Sequence, residues 1–85
     1  MSDNNDKLLN LGYNNFVLID RVVAILTPDS LPMKRLKDEA KVRSQLIDAT
    51  QGRKTRSIVV CDNNHVFLSG LTPETLSQRF TAKED

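Results

Sequence analysis

The longest uninterrupted apolar run in this chain is Val22 to Leu26; every other run is shorter and is closed off by polar or turn-forming residues. Runs of this length suit short strands, and none approaches the roughly 20 residues that a helix needs to cross a bilayer. Leu8 to Leu11 and Asn15 to Ile19 flank Gly12-Tyr13-Asn14, a segment rich in residues that tolerate left-handed backbone angles, so the spacing predicts a hairpin. Asp20 and Arg21 interrupt the pattern before a third strand, Val22 to Leu26. Ser57 to Cys61 and Val66 to Leu68 enclose the polar turn Asp62 to His65 and predict a second hairpin, and Leu46-Ile47 reads as a brief strand.

Two segments carry helix signals instead. Thr27-Pro28-Asp29-Ser30 supplies a cap, a first-turn proline and a carboxylate for the positive end of the helix dipole, with Thr27 as the expected cap. Pro32 places the start of the regular helix close to itself. Met33, Leu36, Ala40 and Val42 are the expected apolar face, with Lys34, Lys37, Asp38 and Lys41 on the other and an end near Ser44 or Gln45. Leu71-Thr72-Pro73-Glu74-Thr75 repeats the order of start signals, and Leu76 and Phe80 form an i, i+4 apolar pair. The expected fold is α+β: one small domain, residues 7–80, of short antiparallel strands with a main helix near 31–44 and a short C-terminal helix near 73–80. A polar leader at residues 1–6 and a charged tail at 81–85 are expected to stay unstructured.

A core drawn from 85 residues is only marginally self-sufficient, and self-association would relieve that shortage. With no tryptophan, one tyrosine and three phenylalanines, Leu, Ile and Val must fill the core, and little is left for stacking single-stranded bases. The net charge of +1 hides an asymmetry: residues 31–56 hold eight cations against three anions. A polyanion would bind in that middle third. Gln51-Gly52-Arg53-Lys54-Thr55-Arg56 concentrates the charge, since a glycine tightens a turn between two strand-like runs and three cations follow with no acid among them. This is the pattern of a phosphate-binding loop, and a solvated turn without a partner is the plainer alternative. Lys34, Arg35, Lys37, Lys41 and Arg43 read as a solvated helix face.

Catalytic readings find little support. His65 is the only histidine and falls in a turn, and Cys61 lies in an apolar strand without a neighbour to activate it. One cysteine and one histidine fall short of the three or four ligands of a metal site, and Gly12, Gly52 and Gly70 form no nucleotide fingerprint. The adjacent Asp38 and Glu39 do not face one another on a helix. No enzyme activity, cofactor, metal or small-molecule substrate is therefore expected. A lone cysteine and an N-terminal segment without an apolar signal core suit a cytoplasmic protein with no membrane partner.

The ordered run Asn10-Leu11-Gly12-Tyr13, Arg21, Pro28-Asp29-Ser30, Pro32, Lys34-Arg35 and Leu46 to Arg56 resembles the RemA family, small bacterial regulators of extracellular-matrix genes. The similarity continues through Asp62 to Leu68 and Pro73-Glu74-Thr75, with Leu46 to Arg56 its most specific part. The resemblance implies a nucleoid-associated transcriptional regulator that binds double-stranded DNA, assembles as a closed homo-oligomeric ring and presents basic loops around its rim. The family's arginines fall on Arg21 and Arg53; Lys54 stands where a further arginine is usual, keeping the charge but losing the planar fork that grips phosphate through two hydrogen bonds. With Arg56, these are the expected DNA contacts. An RNA-binding module and a purely structural assembly are the competing readings, and Arg21, beside Asp20, is on its own equally suited to a strand-edge ion pair or an inter-subunit bridge.

Overall fold

The computed structural model describes residues 7–82; the expected leader Met1 to Asp6, the chain beyond Ala82 and the side chains of Phe80, Thr81 and Ala82 lie outside the described residues. The elements run β1 (Leu8–Gly12), β2 (Asn15–Leu18), β3 (Val22–Leu26), α1 (Leu31–Val42), β4 (Leu46–Asp48), β5 (Ser57–Cys61), β6 (Val66–Ser69) and α2 (Pro73–Ala82), with a 3-10 turn at Ile19–Arg21. The expected α+β class and both hairpins are present. β1 and β2 form their own antiparallel pair, while β3-β5-β6-β4 make a four-stranded sheet. β4 lies parallel to β6, with Leu46 opposite Val66.

The alternation of side chains along β5 sets the layers. Val59 and Cys61 face one side, where they join Leu9, Leu11 and Val17 of the hairpin, Ile19, Ala49 and Leu76 of α2 in one buried cluster. Ile58 faces the other side and meets Val66, Leu68 and Ala40 of α1, with Met33, Leu36 and Leu46 packed against them. The hairpin and α2 thus cover one face of the sheet and α1 the other. Both central strands are buried on two sides, which is why their sequences read as continuous apolar runs.

Serine breaks that rule where the two strands end. Ser57 and Ser69 sit opposite each other and are both fully buried. The Ser69 hydroxyl donates to the Leu11 carbonyl at 2.8 Å and accepts from the Leu71 amide at 3.1 Å, and the Ser57 hydroxyl donates to the Leu71 carbonyl at 2.7 Å. These bonds satisfy the Leu11 and Leu71 backbone groups, and they fasten the end of β1 to the sheet.

Two helix details differ from expectation. The cap of α1 is Ser30, not Thr27, and its side chain makes no capping bond. A helix starting at Thr27 would put Pro32 deep enough to need the amide it lacks and to clash with the carbonyl four residues back; starting at Ser30 keeps Pro32 in the tolerant first turn. Val42 is 84% exposed rather than part of the apolar face. It lies two residues past buried Ala40, which turns it to the far side of the helix. α1 ends through Ser44 at φ 60°, with Gln45 N–H bonded to Ala40 O and Ser44 N–H to Lys41 O, a Schellman closure with serine in the usual glycine position. For α2 the Thr72 hydroxyl accepts from the Thr75 amide at 3.2 Å, so Thr72 caps it as its sequence signal implied.

Candidate nucleic-acid interface

The loop between β4 and β5 is ordered from its first residue. One carboxylate oxygen of Asp48 accepts from the Thr50 amide at 2.9 Å and from the Thr50 hydroxyl at 2.6 Å. The Arg53 amide then closes on the Thr50 carbonyl at 3.0 Å, with Gln51 and Gly52 between them at φ 54° and 80°. Two successive left-handed residues make a I′ turn. A side chain at position 52 would meet nothing within 4 Å, so the backbone angle and not crowding calls for Gly52. The Arg56 amide reaches the Ser69 carbonyl at 2.8 Å and leads the chain into β5. Arg53, Lys54 and Arg56 are therefore exposed side chains on a backbone tied down at both ends.

Hydrogen bonds from the Thr50 hydroxyl and amide, with the nearby Lys37 charge assisting, hold the Asp48 carboxyl below its ordinary 3.8. A carboxyl that is a stronger acid in the folded chain stabilises it above the usual carboxylate range, and that stabilisation is lost as pH falls through the lowered folded value. The Thr50 amide resonance should accordingly hold its position through the ordinary carboxylate value and shift only under more acid conditions, and Asp48→Ala should move it at neutral pH.

The tip of the β1–β2 hairpin lies alongside this loop. Tyr13 and Asn14 occupy a second I′ turn at φ 56° and 65°. Asn10 braces it by accepting from the Gly12 amide at 2.7 Å, and the Asn15 side-chain amide donates to the Gly12 carbonyl at 3.0 Å. The two turns meet where the Arg53 guanidinium stands 5.3 Å from the centre of the Tyr13 ring. Together with Leu11, Gly70 and Leu71 they line an open cleft of about 370 Å³, into which the structure brings Arg53, Lys54 and Arg56. Among the described residues, none of these three cations forms an ion pair.

Arg21 stands elsewhere. Its guanidinium donates to Asp62 at 3.1 Å, and its carbonyl accepts the Asp62 amide at 2.8 Å. The partner is thus Asp62 in the β5–β6 turn and not the adjacent Asp20. The loop precedes β5 and Asp62 follows it, so Arg21 and the cleft are separated by the five residues of that strand, on the order of 15 Å. The cations of α1 lie across the sheet from the hairpin and do not join the cleft, and Arg43, just past the end of α1, donates to Gln45 at 2.7 Å. Cys61 is buried in the core, where burial and the Asp62 charge push its thiol up and keep it protonated. Among the described residues, no three His, Cys, Asp or Glu side chains gather as metal ligands, and no helix is long and apolar enough to cross a membrane.

Tyr13, Ser57 and Ser69 were not among the expected site residues. An aromatic residue in a turn that favours Asn and Gly was the available signal for Tyr13. The serines carried no signal, because their role exists only once β1 and β6 are neighbours.

The family model described as "RemA-like: Extracellular matrix regulatory protein A-like" matches residues 8–80. A protein of Nitratidesulfovibrio vulgaris (strain DP4), named "Putative regulatory protein", is 53% identical over 85 residues, covering 100% of this chain and 99% of its own. Relatives with the same name occur in Oleidesulfovibrio alaskensis, 56% identical over 93% of this chain and 94% of the relative, and in Thermotoga maritima, 59% identical over 86% and 79%.

Proposed function

Since the chain belongs to the RemA-like family, we propose that it is a transcriptional regulator of extracellular-matrix genes, a ring-shaped homo-oligomer that binds double-stranded DNA at the nucleoid through the basic loop of each subunit. The regulatory names of its relatives support the general role. The observation that carries the DNA reading is the cleft: Arg53, Lys54 and Arg56 surround it, and among the described residues no acid neutralises them. Cations placed this way exchange condensed counterions for protein contacts when a phosphate backbone arrives.

Two features support self-association. β3 and β4 each pair on one side only, which leaves both edges of the four-stranded sheet open to a neighbour. Leu8, Phe16 and Leu18 also face solvent along the outer side of the hairpin, at 54%, 48% and 43% exposure. In a closed head-to-tail ring these surfaces are covered, and Arg21 of one subunit has a route to the DNA track of the next that it lacks within a single chain. Many loops acting together raise the affinity of contacts that are individually weak.

The test is fluorescence anisotropy of labelled duplex DNA, duplex RNA and single-stranded DNA across a salt series. Duplex DNA is expected to bind most tightly, with log K falling against log salt at about −0.9 for each phosphate neutralised. A preference for either competitor would replace this reading with an RNA or single-strand module. Absence of binding to all three would leave a structural assembly.

A further inference from the structure

We propose that Tyr13 is the positioning residue of the cleft: its ring holds the Arg53 guanidinium in the orientation that meets phosphate. This rests on the DNA-binding reading above and assigns a part to a side chain outside the basic loop. The ring and the guanidinium are 5.3 Å apart, within the range in which a cation is attracted to an aromatic face. Both belong to the same cleft. Tyr13 also occupies its turn at φ 56°. Left-handed angles are unfavourable for a bulky aromatic residue, and the turn would be easier to form with asparagine or glycine there. A strained residue persists where its surroundings hold it, and such residues gather at working sites. The strain here sets an aromatic surface beside one cation of the three.

The arrangement makes Arg53 different from Lys54 and Arg56. A free arginine loses considerable side-chain freedom when it grips a phosphate, whereas one already resting on a ring has lost part of it beforehand. Only the ring face is needed for this, so phenylalanine should serve as well as tyrosine.

Duplex-binding affinity of the full chain should be measured for the native protein, Tyr13→Phe, Tyr13→Ala, Arg53→Ala and the Tyr13→Ala/Arg53→Ala double variant. Tyr13→Phe should match the native protein, and Tyr13→Ala should weaken binding at least about threefold, the scale of one exposed cation–ring contact. In the Arg53→Ala background the same change should have no further effect. An equal loss in both backgrounds would overturn the proposal, because Tyr13 would then act on the fold or on DNA directly. A second readout does not involve nucleic acid. Tyr13 is the only tyrosine in a chain without tryptophan, so tyrosine emission reports this ring alone. Arg53→Ala should change that emission in the free protein while Lys54→Ala leaves it unchanged. Unaltered emission in Arg53→Ala would refute the contact, and a native protein that binds no duplex would refute the DNA reading but not the contact.

Discussion

Arg53→Glu should reduce duplex DNA binding on the order of a hundredfold or more at physiological salt, with the fold and the oligomer mass preserved. The size of the effect follows from repetition: each subunit of the proposed ring loses one phosphate contact, gains a repulsive charge, and passes that loss to every other loop on the same duplex. The fold should survive because the Arg53 side chain is exposed and its described partner is the Tyr13 ring, while the turn itself is closed by the Arg53 backbone amide. Sedimentation or light scattering of the variant, run beside the anisotropy titration, separates the competing readings. If the loop instead makes subunit contacts, Arg53→Glu dissociates the oligomer. Undiminished binding by an intact oligomer would remove the loop from the interface altogether.

Ser69→Ala should be the most damaging small change to the fold described here. It leaves the buried Leu11 carbonyl and the part-buried Leu71 amide without their hydroxyl partner. Each abandoned group costs about 1–3 kcal/mol, so the variant should lose about 2–6 kcal/mol of stability. In a domain of this length that corresponds to a fall in melting temperature on the order of 10 °C or more. Ser57→Ala, which removes a single bond to the Leu71 carbonyl, should lower it less. Thermal unfolding at matched protein concentration measures both. A Ser69→Ala protein melting with the native one would mean that packing alone seats β1.

The elements that sequence reading located were those with local causes. The β1–β2 hairpin follows from turn residues between apolar runs, and the cationic loop from Gly52 followed by three charges. What escaped depended on residues distant in the chain. Arg21 pairs with Asp62 because β3 and β5 lie side by side, and adjacency in sequence to Asp20 carries no information about that. The partnership of Tyr13 with Arg53 and the serine fastening of Leu11 likewise arise only after the hairpin has docked. The misplaced cap is a different kind of error, since Thr27 and Ser30 both suit the position and only Pro32, read for the amide it lacks, decides between them.

The hairpin forms a sheet of its own and no strand ladder joins it to the other four strands. It is held by the buried faces of Leu9, Leu11 and Val17 and by the hydroxyl of Ser69. Because opening such a unit leaves the β5–β6 ladder intact, its amides should exchange with solvent through a smaller excursion than global unfolding. Since Leu11, Gly12 and Tyr13 form one wall of the cleft, each such opening would also dismantle the proposed binding surface. Hairpin closure and cleft occupancy are therefore linked equilibria, and any polyanion that settles against Arg53 slows exchange in β1 and β2, far along the chain from the charges it touches.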